Sequence, residues 1–93
     1  MRYTKRPVTI DAMQWHGHPK DAHVIISWIE RQGGTAEFVH LGGDDYTIAI
    51  ETMEGRSLDL KPGGWVIRGV KGEFYPVDEQ VFAETYEPAE EDE

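Results

Sequence analysis

LKPGGWVIRGVKGEFYPVDEQVFAETY, residues 60–86, carries the densest turn punctuation in the chain, and its reading decides the fold. Lys61-Pro62-Gly63-Gly64 is turn chemistry, because proline presets a turn's φ and glycine takes left-handed positions that other residues avoid. It delivers a short strand over residues 65–68. Val70-Lys71-Gly72 reverses the chain again into a strand over residues 73–77. Asp78 is placed to cap one helical turn carrying Val81 and Phe82. Residues 84–87 then have an extended look and are expected to return to the sheet beside the first strand, guarding its edge with charge.

Working upstream, the span 46–53 alternates: Tyr46, Ile48 and Ile50 face one side, Thr47, Ala49 and Glu51 the other. Glu54-Gly55 turns it into residues 56–60, so these two strands are expected to form a hairpin. Gly42-Gly43-Asp44-Asp45 separates it from an earlier strand at 35–41. Before that lies the only extended helical pattern. Pro19 suits a first helical residue, Asp21 favours the first turn, and Ala22, Ile25, Ile26 and Ile29 recur at helical spacing, widened by Val24 and Trp28. Gly33-Gly34 closes it. The opening, residues 3–15, reads as a first strand in which Val8, Ile10 and Ala12 alternate with Thr9, Asp11 and Met13. The expected fold is α+β: a small, strongly bent, mostly antiparallel sheet of about five or six short strands with one amphipathic helix packed on it.

The chain has 93 residues, which is the size of one small domain, expected over residues 1–87. Net charge is −9, yet eight of the acidic residues fall in positions 78–93 with no basic residue among them, so the body is almost neutral. The end, residues 88–93, is expected to be a disordered, solvated acidic tail. Direct binding to nucleic acid is not expected, because phosphate affinity needs clustered Lys and Arg. No apolar run reaches membrane-spanning length and the start has no apolar signal core, so a soluble protein without membrane association is expected. Cysteine is absent, which removes disulfides, thiolate nucleophiles and cysteine zinc sites.

The polar inventory does not assemble into a catalytic pattern. Asp11, Glu51, Asp59 and Glu73 each alternate with apolar residues and read as the solvent side of strands. Ser27 and Ser57 sit in no nucleophile elbow, and Gly63-Gly64 precedes a strand where a phosphate loop precedes a helix. No catalytic residues, cofactor or enzymatic activity are therefore expected. His16 and His18, with Asp21 and His23 nearby, are the metal candidates, since alternate residues of an extended chain point the same way. Aromatic residues give a stronger candidate. Trp15, Trp65, Tyr75 and Tyr86, with Arg68 and Lys71, could line a ligand- or partner-binding surface that stacks on and neutralises a planar anion.

Two stretches carry a family resemblance. The opening Lys5-Arg6-Pro7-Val8-Thr9-Ile10-Asp11-Ala12-Met13-Gln14-Trp15 and the later Pro62-Gly63-Gly64-Trp65-Val66-Ile67-Arg68-Gly69-Val70-Lys71-Gly72-Glu73-Phe74-Tyr75-Pro76, with Val81-Phe82 and Thr85-Tyr86-Glu87, resemble short proteins of unknown function encoded by tailed bacteriophages and prophages. Gly64 stands where that pattern usually has Asp, Val77 where Cys is frequent, and His16 and His18 do not belong to it. The resemblance covers about half the chain and implies a phage origin and a bacterial host cytoplasm. It brings no catalytic residues. The leading expectation is a non-enzymatic phage accessory protein that binds a host or phage protein through a strand edge or the Trp65–Tyr75 surface. The alternatives are a small-molecule binder that sequesters a nucleotide, and a virion-associated or acidic nucleic-acid-mimic protein. Exposed strand edges are also compatible with a homodimer.

Overall fold

A computed structural model describes residues 1–3 and 9–88. The part of the expected first strand at residues 4–8, and all of the expected tail beyond Pro88, lie outside the described residues. The elements run β1 (Asp11–Gln14), α1 (Pro19–Arg31), β2 (Ala36–Gly42), β3 (Asp45–Glu51), β4 (Ser57–Leu60), β5 (Trp65–Arg68), β6 (Phe74–Val77) and α2 (Glu79–Thr85). The class is α+β. The strands form two antiparallel three-stranded sheets, ordered β1-β5-β6 and β2-β3-β4, where one bent sheet was expected.

Pro76 explains why the first sheet stops at β6. Trp15 donates its backbone N–H to Gly64, so the hydrogen-bonded pairs of β1 and β5 fall on Met13–Val66 and Asp11–Arg68. Val66 therefore bonds towards β1, and Pro76, opposite Val66 in β6, has its missing N–H on the outer edge. A proline there leaves a gap in any continued ladder.

α1 ends as its sequence dictates. Gly33 donates to Glu30 and Gly34 to Ile29, the paired bonds that satisfy the last helical carbonyls, with Gly33 at φ +92. Ala22, Ile25 and Ile29 of α1 pack with Trp15, Ala36, Ile48, Ile50, Leu60, Val66 and Phe74 to make the main core. Trp28 widens this face as its spacing predicts, meeting Phe74 edge-on at 5.4 Å. Val24 does not: it is exposed, on the solvent side of the helix.

The β1-β5-β6 sheet is covered on both faces. Val66 enters the main core, while its neighbour Ile67, equally buried, points to the opposite side between Ala12 and Tyr75. α2 covers that second side. Asp78 caps it, its carboxylate accepting from the backbone N–H groups of Gln80 at 2.9 Å and Val81 at 3.3 Å. Helix runs on through Thr85, so residues 84–85 do not return as a strand, and the free edge of β1 has no strand beside it among the described residues. The physical reason is the contact between Phe82 and Tyr86: their rings lie 5.0 Å apart, and side chains four residues apart come that close only on a helical turn.

Candidate functional site

A cleft of about 860 Å³ lies between the free edge of β1 and α2. One wall is Thr9, Ile10, Ala12 and Gln14; the other is Glu79, Phe82, Ala83, Tyr86, Glu87 and Pro88, with Trp65 between them. Alternation along β1 builds the first wall. Met13 and Asp11 bond to β5, so the backbone N–H and C=O groups of Ala12 face the unpaired edge. Gln14 is fixed by its own side chain, whose amide donates to the Gly63 carbonyl at 3.0 Å.

Three rings line up from Trp65 along the second wall. Phe82 lies flat on Trp65, centroids 4.0 Å apart and planes 4° apart, and Tyr86 follows at 5.0 Å. Ring pairs of this kind contribute about 0.5–1.5 kcal/mol beyond the area they bury. Tyr75 stands behind them on the same side of the sheet. Burial holds its phenol above the ordinary tyrosine pKa, reinforced by the Tyr86 hydroxyl and by the negative charge of Glu73. At one end of the cleft a Glu79 carboxylate oxygen lies so close over Gly63 that a Cβ there would approach it to 2.8 Å. Glu87 brings a second carboxylate to the lining.

The residues singled out in the sequence divide four ways. Trp65 and Tyr86 line the cleft and Tyr75 supports it. Trp15 does not face a ligand: it is fully buried, its indole N–H donating to the His18 carbonyl at 2.9 Å. Arg68 points to the main-core side with Phe74, and its Nε is buried without a hydrogen-bond partner. Lys71 sits exposed in the turn between β5 and β6, where its backbone N–H donates to Glu73. The stacking surface and the two cations are therefore on different faces and at different ends of one strand. His16 and His18 are exposed on either side of Gly17. Among the described residues, no group of three or more His, Cys, Asp or Glu is placed to hold a metal ion.

Comparison with protein families, curated proteins and solved structures gives no match. What the cleft does must then be argued from its own chemistry. Among the described residues, its lining combines an unpaired backbone edge, aromatic rings and two carboxylates, with no Lys or Arg. Ala12, Gln14, Glu79, Phe82 and Glu87 were not expected in the site. Of these, Phe82 was findable through its spacing to Tyr86, whereas Ala12 became visible only with the strand order. Among the described residues no helix is long and apolar enough to cross a membrane.

Proposed function

We propose that this chain is a non-enzymatic bacteriophage accessory protein that works by binding another protein, of the phage or of its host, in the bacterial cytoplasm. The phage origin rests on the resemblance of its opening and closing stretches. The binding reading rests on one observation: a strand edge that is unpaired among the described residues forms one wall of an aromatic cleft. Peptides add to such edges because the backbone supplies hydrogen bonds while the cleft supplies selectivity. The nucleotide-sequestering alternative ranks lower, since an anion stacked on Trp65 would meet Glu79 and Glu87 and not Arg68 or Lys71.

Ala83 is exposed on α2 and lines the cleft, so Ala83→Arg obstructs it without touching either core and keeps good helix propensity. Immobilised wild-type chain is expected to retain a host or phage protein from infected-cell lysate at micromolar concentration, and the Ala83→Arg chain to lose it. Retention of nothing, or of the same protein by both, would overturn the reading.

A further inference from the structure

Resting on the reading of this cleft as a protein-binding site, we infer that its occupant is a basic, extended segment that adds to β1 as a fourth strand of the β1-β5-β6 sheet. Ala12 leaves an N–H and a C=O pointing to the open side of β1, and a strand added there satisfies both. The site is short. β1 has four residues, about 10 Å at the usual strand rise, and α2 has seven, also about 10 Å at the helical rise. That length admits three or four residues of extended chain, with alternate side chains against the Phe82 and Tyr86 rings.

Charge selects among the candidates. Among the described residues, the Asp, Glu, His, Lys or Arg side chains of the lining are Glu79 and Glu87, both carboxylates. A second copy of this chain, pairing β1 to β1, would set each copy's Glu79 and Glu87 against the other's within a dimer of two chains carrying −9 each. The acidic end of the chain meets the same repulsion. A segment in which Lys or Arg alternates with apolar residues matches all three elements of the site: the backbone edge, the rings and the carboxylates.

The test is a displayed library of random eight-residue peptides selected on the immobilised full-length chain, with binders resynthesised. The inference expects enrichment of Lys or Arg alternating with Val, Ile, Leu or aromatic residues. Methylating the peptide nitrogens that would pair with β1 should abolish binding, while methylating the intervening ones should not. Each of Glu79→Gln and Glu87→Gln should weaken the basic peptides about 1.5- to 5-fold, the value of an exposed ion pair. Binders blocked by Ala83→Arg but without basic residues, or indifferent to methylation, would overturn this inference while sparing the protein-binding reading. Binders indifferent to Ala83→Arg, or none, would remove both. Sedimentation showing a dimer that Ala83→Arg dissociates would give the cleft to a second copy and overturn the basic-segment inference.

Discussion

Gly34 shows how little room the main core leaves. A Cβ there would stand 2.6 Å from Ile29 Cγ2 and 2.9 Å from Phe74 Cδ2. Both neighbours are core side chains, so neither swings aside freely. Gly34→Ala is expected to destabilise the fold by about 1–3 kcal/mol, the usual cost of overpacking, seen as a lower urea midpoint at unchanged slope. Gly33, one residue earlier, has open space around its Cα but a positive φ, so its constraint is conformational and not steric. The sequence shows both as one Gly-Gly stop signal. It cannot show the difference, because one of the two side chains that crowd Gly34 is Phe74, forty residues away. Tyr75 carries a pH consequence at the same scale. Its folded pKa is raised by burial, the Tyr86 hydroxyl and Glu73, so the folded state keeps the proton that the unfolded chain gives up near pH 10. The stability Tyr75 contributes is complete below its unfolded pKa and is lost as pH rises through the folded value. Urea unfolding across the alkaline range should show that decline, and Tyr75→Phe should flatten it. An identical alkaline decline in Tyr75→Phe would sink this assignment.

At the scale of elements, α2 depends on Asp78. The helix has seven residues, too few to persist alone, and none of them is fully buried. Asp78→Ala removes the two cap bonds and should cost about 1 kcal/mol, with loss of helical circular dichroism if α2 frays. Asp78→Ser should recover most of it, because the cap is a matter of the side-chain oxygen. Most elements were legible in the sequence: α1 from its proline start, apolar spacing and glycine stop, and the strands from alternation between turn residues. α2 was legible only in its first turn. Extended and helical readings of residues 84–87 differ in where Tyr86 lands, and local propensity does not decide between them. Contact with Trp65 through Phe82 does. For the same reason the sequence does not tell Trp65 from Trp15: both are large aromatics beside a chain break, and only tertiary packing puts Trp15 in the core and Trp65 at a cleft.

Across the whole molecule, β5 is shared between two cores of unequal strength. Val66 is buried against α1 and both sheets, whereas the other face of the strand is closed by α2, whose attachment is one stacked ring pair and a cap. Opening free energy should follow that difference, since segments with few buried contacts exchange by local unfolding while central strands wait for global unfolding. The backbone N–H groups of Phe82 and Tyr86, bonded to Asp78 and Phe82 at 2.9 Å, are therefore expected to exchange with solvent deuterium at least about tenfold faster than those of Ile67 and Val66, corresponding to at least about 1.4 kcal/mol in opening free energy. Equal protection at all four amides would mean that α2 melts only with the sheet, and this asymmetry would be wrong. The asymmetry also bears on function, because the less stable element is the one that walls the cleft. A segment seated between β1 and α2 stabilises the closed form by mass action, so saturating peptide should slow exchange at Phe82 and Tyr86 while leaving the globally exchanging amides of β3 shifted only by the added overall stability. Protection that rose uniformly, with no excess in α2, would place the ligand elsewhere on the molecule.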